Sequence, residues 1–80
     1  MKENLDEKVE YPIPGLLYQH YKGGVYEFLF MAKESETGED LVIYKSITFG
    51  AYHARPLESW NGTSISGHKR FAPFKKRLKL

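Results

Sequence analysis

Tyr21-Lys22-Gly23-Gly24-Val25-Tyr26 decides the fold of this chain, because two adjacent glycines separate two runs with the alternation of β-strands. Before the glycines, Leu16, Tyr18, His20 and Lys22 share one face, and Leu17, Gln19 and Tyr21 share the other. Glycine at both central positions permits the positive φ angles of a tight hairpin turn, so Val25 to Ala32 is expected to return antiparallel to the first strand. In that returning strand Tyr26, Phe28 and Phe30 oppose Val25, Leu29 and Met31, with Glu27 the only polar interruption. A strand apolar on both faces is expected at the centre of a sheet.

Working outward, Ser35-Glu36-Thr37-Gly38-Glu39 has the polar side chains and the glycine of a turn, which closes a second hairpin into Asp40 to Ile47. A further strand, Ala51 to Arg55, ends at Pro56, whose missing N–H stops a ladder but suits a helical turn over Leu57 to Trp60. Asn61-Gly62 reads as a turn, Thr63 to Ser66 as a short strand, and Arg70 to Phe74 as the last strand. About five short antiparallel strands with one helical turn imply a mainly β chain folded as a small, strongly bent barrel. Its core is expected from Phe28, Leu29, Phe30, Leu41, Val42, Ile43 and Leu57.

Eighty residues support one domain, which buries only about 60% of its unfolded surface, so a deep enclosed active site is not expected. The absence of cysteine removes disulfides and thiolate metal sites and fits the cytoplasm. Residues 1–10 read as a flexible acidic segment, 11–74 as the β-barrel domain and 75–80 as a basic tail. No leader-like or membrane-spanning apolar run is present, so a soluble, monomeric protein is expected. The net charge is +2, yet Lys69, Arg70, Lys75, Lys76, Arg77 and Lys79 place half of the twelve basic residues in the last twelve positions.

Catalytic patterns are weak. Gly23-Gly24 lacks the spacing of a phosphate loop, and Ser64 lies outside any nucleophile elbow. His20, His53 and His68 make no local ligand pair, and Glu36, Glu39 and Asp40 lack the alternation of a calcium loop. Glu27 is expected in an ion pair with a lysine or arginine. No enzyme activity, metal or cofactor is therefore expected.

Binding chemistry is better represented. The rings of Tyr18, Tyr21, Tyr26, Tyr44, Tyr52 and Trp60 exceed what a small core absorbs, and arginine engages carboxylates or phosphates through paired hydrogen bonds. Tyr52, Arg55 and Trp60, with Tyr44 and Tyr26, form the expected ligand-binding cluster for a protein or peptide partner. In the competing reading Trp60 plugs the barrel end and Arg55 pairs with Glu58. The alternative function is nucleic-acid binding through Lys69, Arg70, Lys75, Lys76, Arg77 and Lys79, with aromatic rings stacking on bases.

From Gly15 to Phe74 the chain resembles a bacterial and phage family known as Domain of Unknown Function sixteen-fifty-three. The likeness rests on His20-Tyr21-Lys22-Gly23, Tyr26, Ser35-Glu36-Thr37, Leu41-Val42-Ile43-Tyr44, Arg55-Pro56-Leu57-Glu58 and Arg70-Phe71. The resemblance implies an SH3-like barrel and carries no catalytic role. His53-Ala54 and the basic end after Phe74 depart from the family pattern.

Overall fold

The computed structural model describes residues 10–74. The strands are β1 (Leu17–His20), β2 (Val25–Lys33), β3 (Asp40–Ser46), β4 (Tyr52–Pro56) and β5 (Phe71–Pro73), and a single helical turn, α1 (Leu57–Trp60), precedes β5. All pairings are antiparallel and build one five-stranded sheet in the order β4-β3-β2-β1-β5. The expected mainly β architecture is therefore present. The sheet is not closed into a barrel, because its edges β4 and β5 do not pair and α1 lies in the chain between them. Thr63 to Ser66 contributes only an isolated bridge, Thr63 to Lys69, rather than a strand. The expectations for residues 1–9 and for Lys75, Lys76, Arg77 and Lys79 lie outside the described residues.

The two glycines of the first hairpin have different reasons to be glycine. Gly23 has φ 113°, whereas Gly24 is not among the positive-φ residues, so the expected pair of positive φ angles is not formed. The turn is instead centred on Tyr21 and Lys22: Gly23 N–H donates to the His20 carbonyl at 2.7 Å, and His20 N–H donates to the Gly24 carbonyl at 2.8 Å. A turn of ordinary hand followed by a positive-φ glycine is the other common way to close a hairpin. Gly24 is needed for space, since a Cβ there would stand 2.9 Å from the Tyr26 hydroxyl. In the second hairpin Gly38 takes φ 77°, and the Glu34 carboxylate accepts from Glu36 N–H at 2.7 Å and Thr37 N–H at 2.8 Å.

One irregularity sets the inner and outer faces of the sheet. Phe28 lies opposite Tyr44, but Phe30 lies opposite the very next residue, Ile43, so Leu29 is an extra residue in β2. An inserted residue reverses the alternation beyond it. Tyr26 and Phe28 face inward before the bulge, and Met31, opposite Val42, faces inward after it. Phe30 is thereby turned outward and left 56% exposed, contrary to its expected place in the core. On β3 the inward set is Val42, Tyr44 and Ser46, which leaves the expected core residues Leu41 and Ile43 only half-buried.

The buried hydrophobic core is Tyr18, Phe28, Val42, Tyr44, Leu57, Trp60 and Phe71. Five of the seven are aromatic, and the rings of Tyr18, Tyr44, Trp60 and Phe71 interlock at α1 and β5. Trp60 and Phe71 stack face to face, 3.9 Å apart and 4° from parallel, while Tyr18 and Tyr44 meet Trp60 edge-on at 5.4 and 5.1 Å. The segment leading into β1 is tied to this core: Ile13 N–H donates to the Tyr18 hydroxyl at 2.8 Å and Gly15 N–H to the Phe28 carbonyl at 3.0 Å.

The bulge makes two phenylalanines two positions apart unequal. Phe28→Ala is expected to cost about 3–5 kcal/mol, as for a buried phenylalanine, and Phe30→Ala under about 1 kcal/mol, as for a surface position. Urea unfolding of the two variants measures both values, and equal losses would contradict the assigned register.

Candidate binding face

Alternation along β4 distributes its side chains between two faces. Arg55 lies opposite Val42 and His53 opposite Tyr44, so both share the inner face with the core, whereas Tyr52 lies opposite Lys45 on the outer face. Tyr52 is 67% exposed there, with the Lys45 ammonium 5.6 Å from its ring centre. The cluster expected from the sequence is thus divided. Arg55, Tyr44, Tyr26 and Trp60 come together and Tyr52 does not. Within the group Trp60 and Tyr44 are only 3% and 4% exposed, so they form its floor, in keeping with the reading of Trp60 as a packing residue.

Arg55 is held in one orientation by three contacts. Its Nε–H donates to the Tyr44 hydroxyl at 3.0 Å, an Nη1–H donates to Ser59 Oγ at 3.0 Å, and the guanidinium carbon lies 5.3 Å from the centre of the Phe71 ring. The pair with Glu58 is not formed: the ion pairs among the described residues are Lys33 with Asp40 at 2.7 Å and Lys69 with Glu10 at 3.0 Å. The same observation corrects Glu27, which stands opposite Lys45 in the ladder but forms no ion pair among the described residues.

A second arginine reaches the same helical turn. Arg70 donates from Nε to the Ser59 carbonyl at 2.9 Å, and its guanidinium lies against Gly62, where a Cβ would approach Nη2 to 3.3 Å. Around these two cations stand rings of graded exposure, from buried Tyr44 and Phe71 through half-buried Tyr26 and His20 to exposed His53 and Tyr21. Tyr26 meets Tyr44, Phe71 and His53 edge-on at 5.2, 5.8 and 5.8 Å, and His53 stacks on Tyr44 at 5.2 Å. His20 sets its ring edge-on to Phe71 at 4.9 Å and beside Tyr21 at 4.7 Å. Burial holds the His20 pKa below the ordinary 6.5, and the positive charges of Arg55, Arg70 and Lys22 lower it further.

Sequence reasoning found Arg55, Tyr26 and Tyr44 as members of this face and did not place Ser59, His20 or His53 in it. It named Arg70 at the start of the last strand and among the basic residues of the nucleic-acid alternative, whereas its side chain turns inward onto α1. An open groove of about 330 Å³ reaches Trp60 and Phe71 from the other direction and is also lined by Tyr11, Ile13, Tyr18 and Lys69. No group of three or more metal-ligating side chains occurs among the described residues, and none of their helices is long and apolar enough to cross a membrane.

An antiparallel β domain carrying an aromatic face studded with arginine is the class of protein that this geometry defines. The family model described as "Protein of unknown function (DUF1653)" matches residues 16–76, and the chain belongs to that family. A crystal structure of a DUF1653 protein from Bordetella bronchiseptica is similar over 91% of this chain and 99% of its own, with 30% sequence identity and a TM-score of 0.67. None of the curated proteins matches the chain.

The lowered His20 pKa carries a stability consequence with a definite sign. Between the folded value and 6.5 the unfolded chain binds more protons than the folded one, so the stability linked to His20 is complete above 6.5 and is lost as pH falls through the folded pKa. Urea midpoints measured at about pH 7.5 and about pH 5.5 should fall further in the parent protein than in His20→Gln. Equal falls in the two proteins would show that His20 does not contribute.

Proposed function

We propose that the chain is a non-catalytic, SH3-like binding module that takes an extended segment of a partner protein across the face formed by Tyr26, His53, Arg55 and His20. The supporting fold observation is the strand order β4-β3-β2-β1-β5 with one helical turn ahead of the last strand. An open sheet of this kind displays side chains on a face rather than enclosing a substrate. Bacterial or phage origin and a monomeric state belong to the same reading, as does a cytoplasmic setting, which a cysteine-free composition fits.

The observation that carries it is the fixed guanidinium of Arg55 among the accessible rings of Tyr26, His20 and His53. Rigid aromatic area and a pre-oriented fork lower the ordering cost of binding, which is what a small module with little buried area requires. Recognition of an extended peptide by a groove of aromatic side chains is an established use of such scaffolds.

Selection from a displayed peptide library on the immobilised full chain, followed by amide-shift mapping of the enriched peptides, tests the proposal. Shifts are expected at Tyr26, His53 and Arg55, and Arg55→Lys should weaken binding about tenfold by losing the fork while keeping the charge. Absence of enriched peptides overturns it. So do shifts confined to Lys69 and the residues after Phe74 together with salt-sensitive capture of oligonucleotides, which would assign the chain to nucleic-acid binding instead.

A further inference from the structure

We infer that Arg55 and Arg70, anchored on the side-chain and main-chain oxygens of Ser59, form a receptor for a single oxyanion carried by the partner segment. The part of this inference that concerns a partner rests on the function proposed above; the anion site itself stands on the geometry alone.

The distribution of charge partners is the reverse of what solvation alone dictates. Two exposed lysines, Lys33 and Lys69, have carboxylates beside them, whereas the half-buried Arg55 and Arg70 have only neutral oxygens as partners among the described residues. Charges withdrawn from water need partners more than exposed ones do. A guanidinium carries five N–H donors. Arg55 uses its Nε–H and one Nη1–H, and Arg70 uses its Nε–H, so terminal donors of both remain uncommitted among the described residues. Glu58, the acidic residue nearest to Arg55 in sequence, is exposed and pairs with neither.

Packing accounts for parts of this arrangement and leaves its main feature unexplained. Arg70 satisfies a carbonyl at the end of α1, and Arg55 covers Phe71, but neither role requires two cations to converge on one residue. Two guanidiniums drawn together repel each other in the absence of an anion and bind it through several charge-assisted hydrogen bonds in its presence. Their anchoring to Tyr44 and Ser59 sets the orientation in advance. The His20 pKa, lowered first by burial and then by the charges of Arg55, Arg70 and Lys22, reports in its second part the positive potential at this point.

A carboxylate and a phosphate group both supply such an oxyanion, and the experiment separates them. The Nε–Hε signals of Arg55 and Arg70 in the full chain are followed by NMR while sodium acetate or sodium phosphate replaces sodium chloride at constant ionic strength and pH. The expected result is a saturating shift of both signals by at least one anion, with a midpoint of about 1–10 mM, as befits two charge-assisted contacts without other binding area. The more potent anion names the group on the partner. At saturation the His20 titration should move up toward 6.5. Arg55→Lys and Arg70→Lys, each checked for a native amide spectrum, should raise the midpoint about tenfold. If a lysine variant does not fold, Ser59→Ala, which removes a hydroxyl from Arg55, should raise it about threefold.

Shifts that fail to saturate, or a midpoint unchanged in every folded variant, overturn the anion site. A saturating site on a chain that enriches no peptide leaves the inference standing and removes the proposed function. Enriched peptides that bind equally well when their acidic groups are converted to amides or dephosphorylated do the opposite.

Discussion

The stacked rings of Trp60 and Phe71 are the contact on which the rest of this domain depends. The sheet ends at β4 on one side and β5 on the other, and no ladder joins them. What joins them is a helical turn at the end of β4 whose tryptophan lies flat on the first residue of β5. Each ring is then used again. Phe71 supports Arg55 and the edges of His20 and Tyr26, and Trp60 receives the edges of Tyr18 and Tyr44. Aromatic side chains bury large areas and tolerate edge and face contacts at once, which suits a short chain that has no disulfide to close its fold.

Much of the fold was legible in the sequence because its strands are short and their boundaries carry glycine or proline. The first hairpin, the acidic second hairpin and the stop at Pro56 fall where the residues place them, although the first turn is centred on Tyr21 and Lys22 rather than on the two glycines. The bulge at Leu29 was not legible, since Val25 to Ala32 is apolar at nearly every position and gives no sign of where its phase reverses. The inward expectation for Phe30 follows from that, whereas Leu41 and Ile43 are apolar residues on the alternate face of β3 from Val42 and Tyr44, and their type alone does not say which face is inner. Local alternation does contain the separation of Tyr52 from Arg55, three positions apart on one strand and hence on opposite faces, but a reading based on nearness in sequence overlooked it.

The arginine face was legible in part. Arg55 stands next to Pro56 and α1, so its neighbourhood is local, and its choice as a candidate needed no knowledge of distant contacts. The meeting of Arg70 with Ser59, and of His20 with Phe71, depends on β5 returning to pair with β1. No pattern of types or spacing along the chain records that juxtaposition. A run of basic residues near the C-terminus groups Arg70 with the candidates for phosphate binding, although hydrogen bonding to a helix end gives its side chain an interior place.

The pairing of Tyr18 with Pro73 and of His20 with Phe71 also determines when the face exists. Closing a loop of about 50 residues costs chain entropy before any contact is gained, and contacts distant in sequence slow folding. The hairpins of β1 with β2 and β2 with β3 involve short loops and form at much smaller cost. A nascent chain that has emerged only as far as α1 therefore holds Arg55 but neither Phe71 beneath it nor Arg70 beside it. Assembly of the arginine face is coupled to docking of the final strand, so a partly folded or truncated molecule lacks the complete face even when most of its sheet is in place.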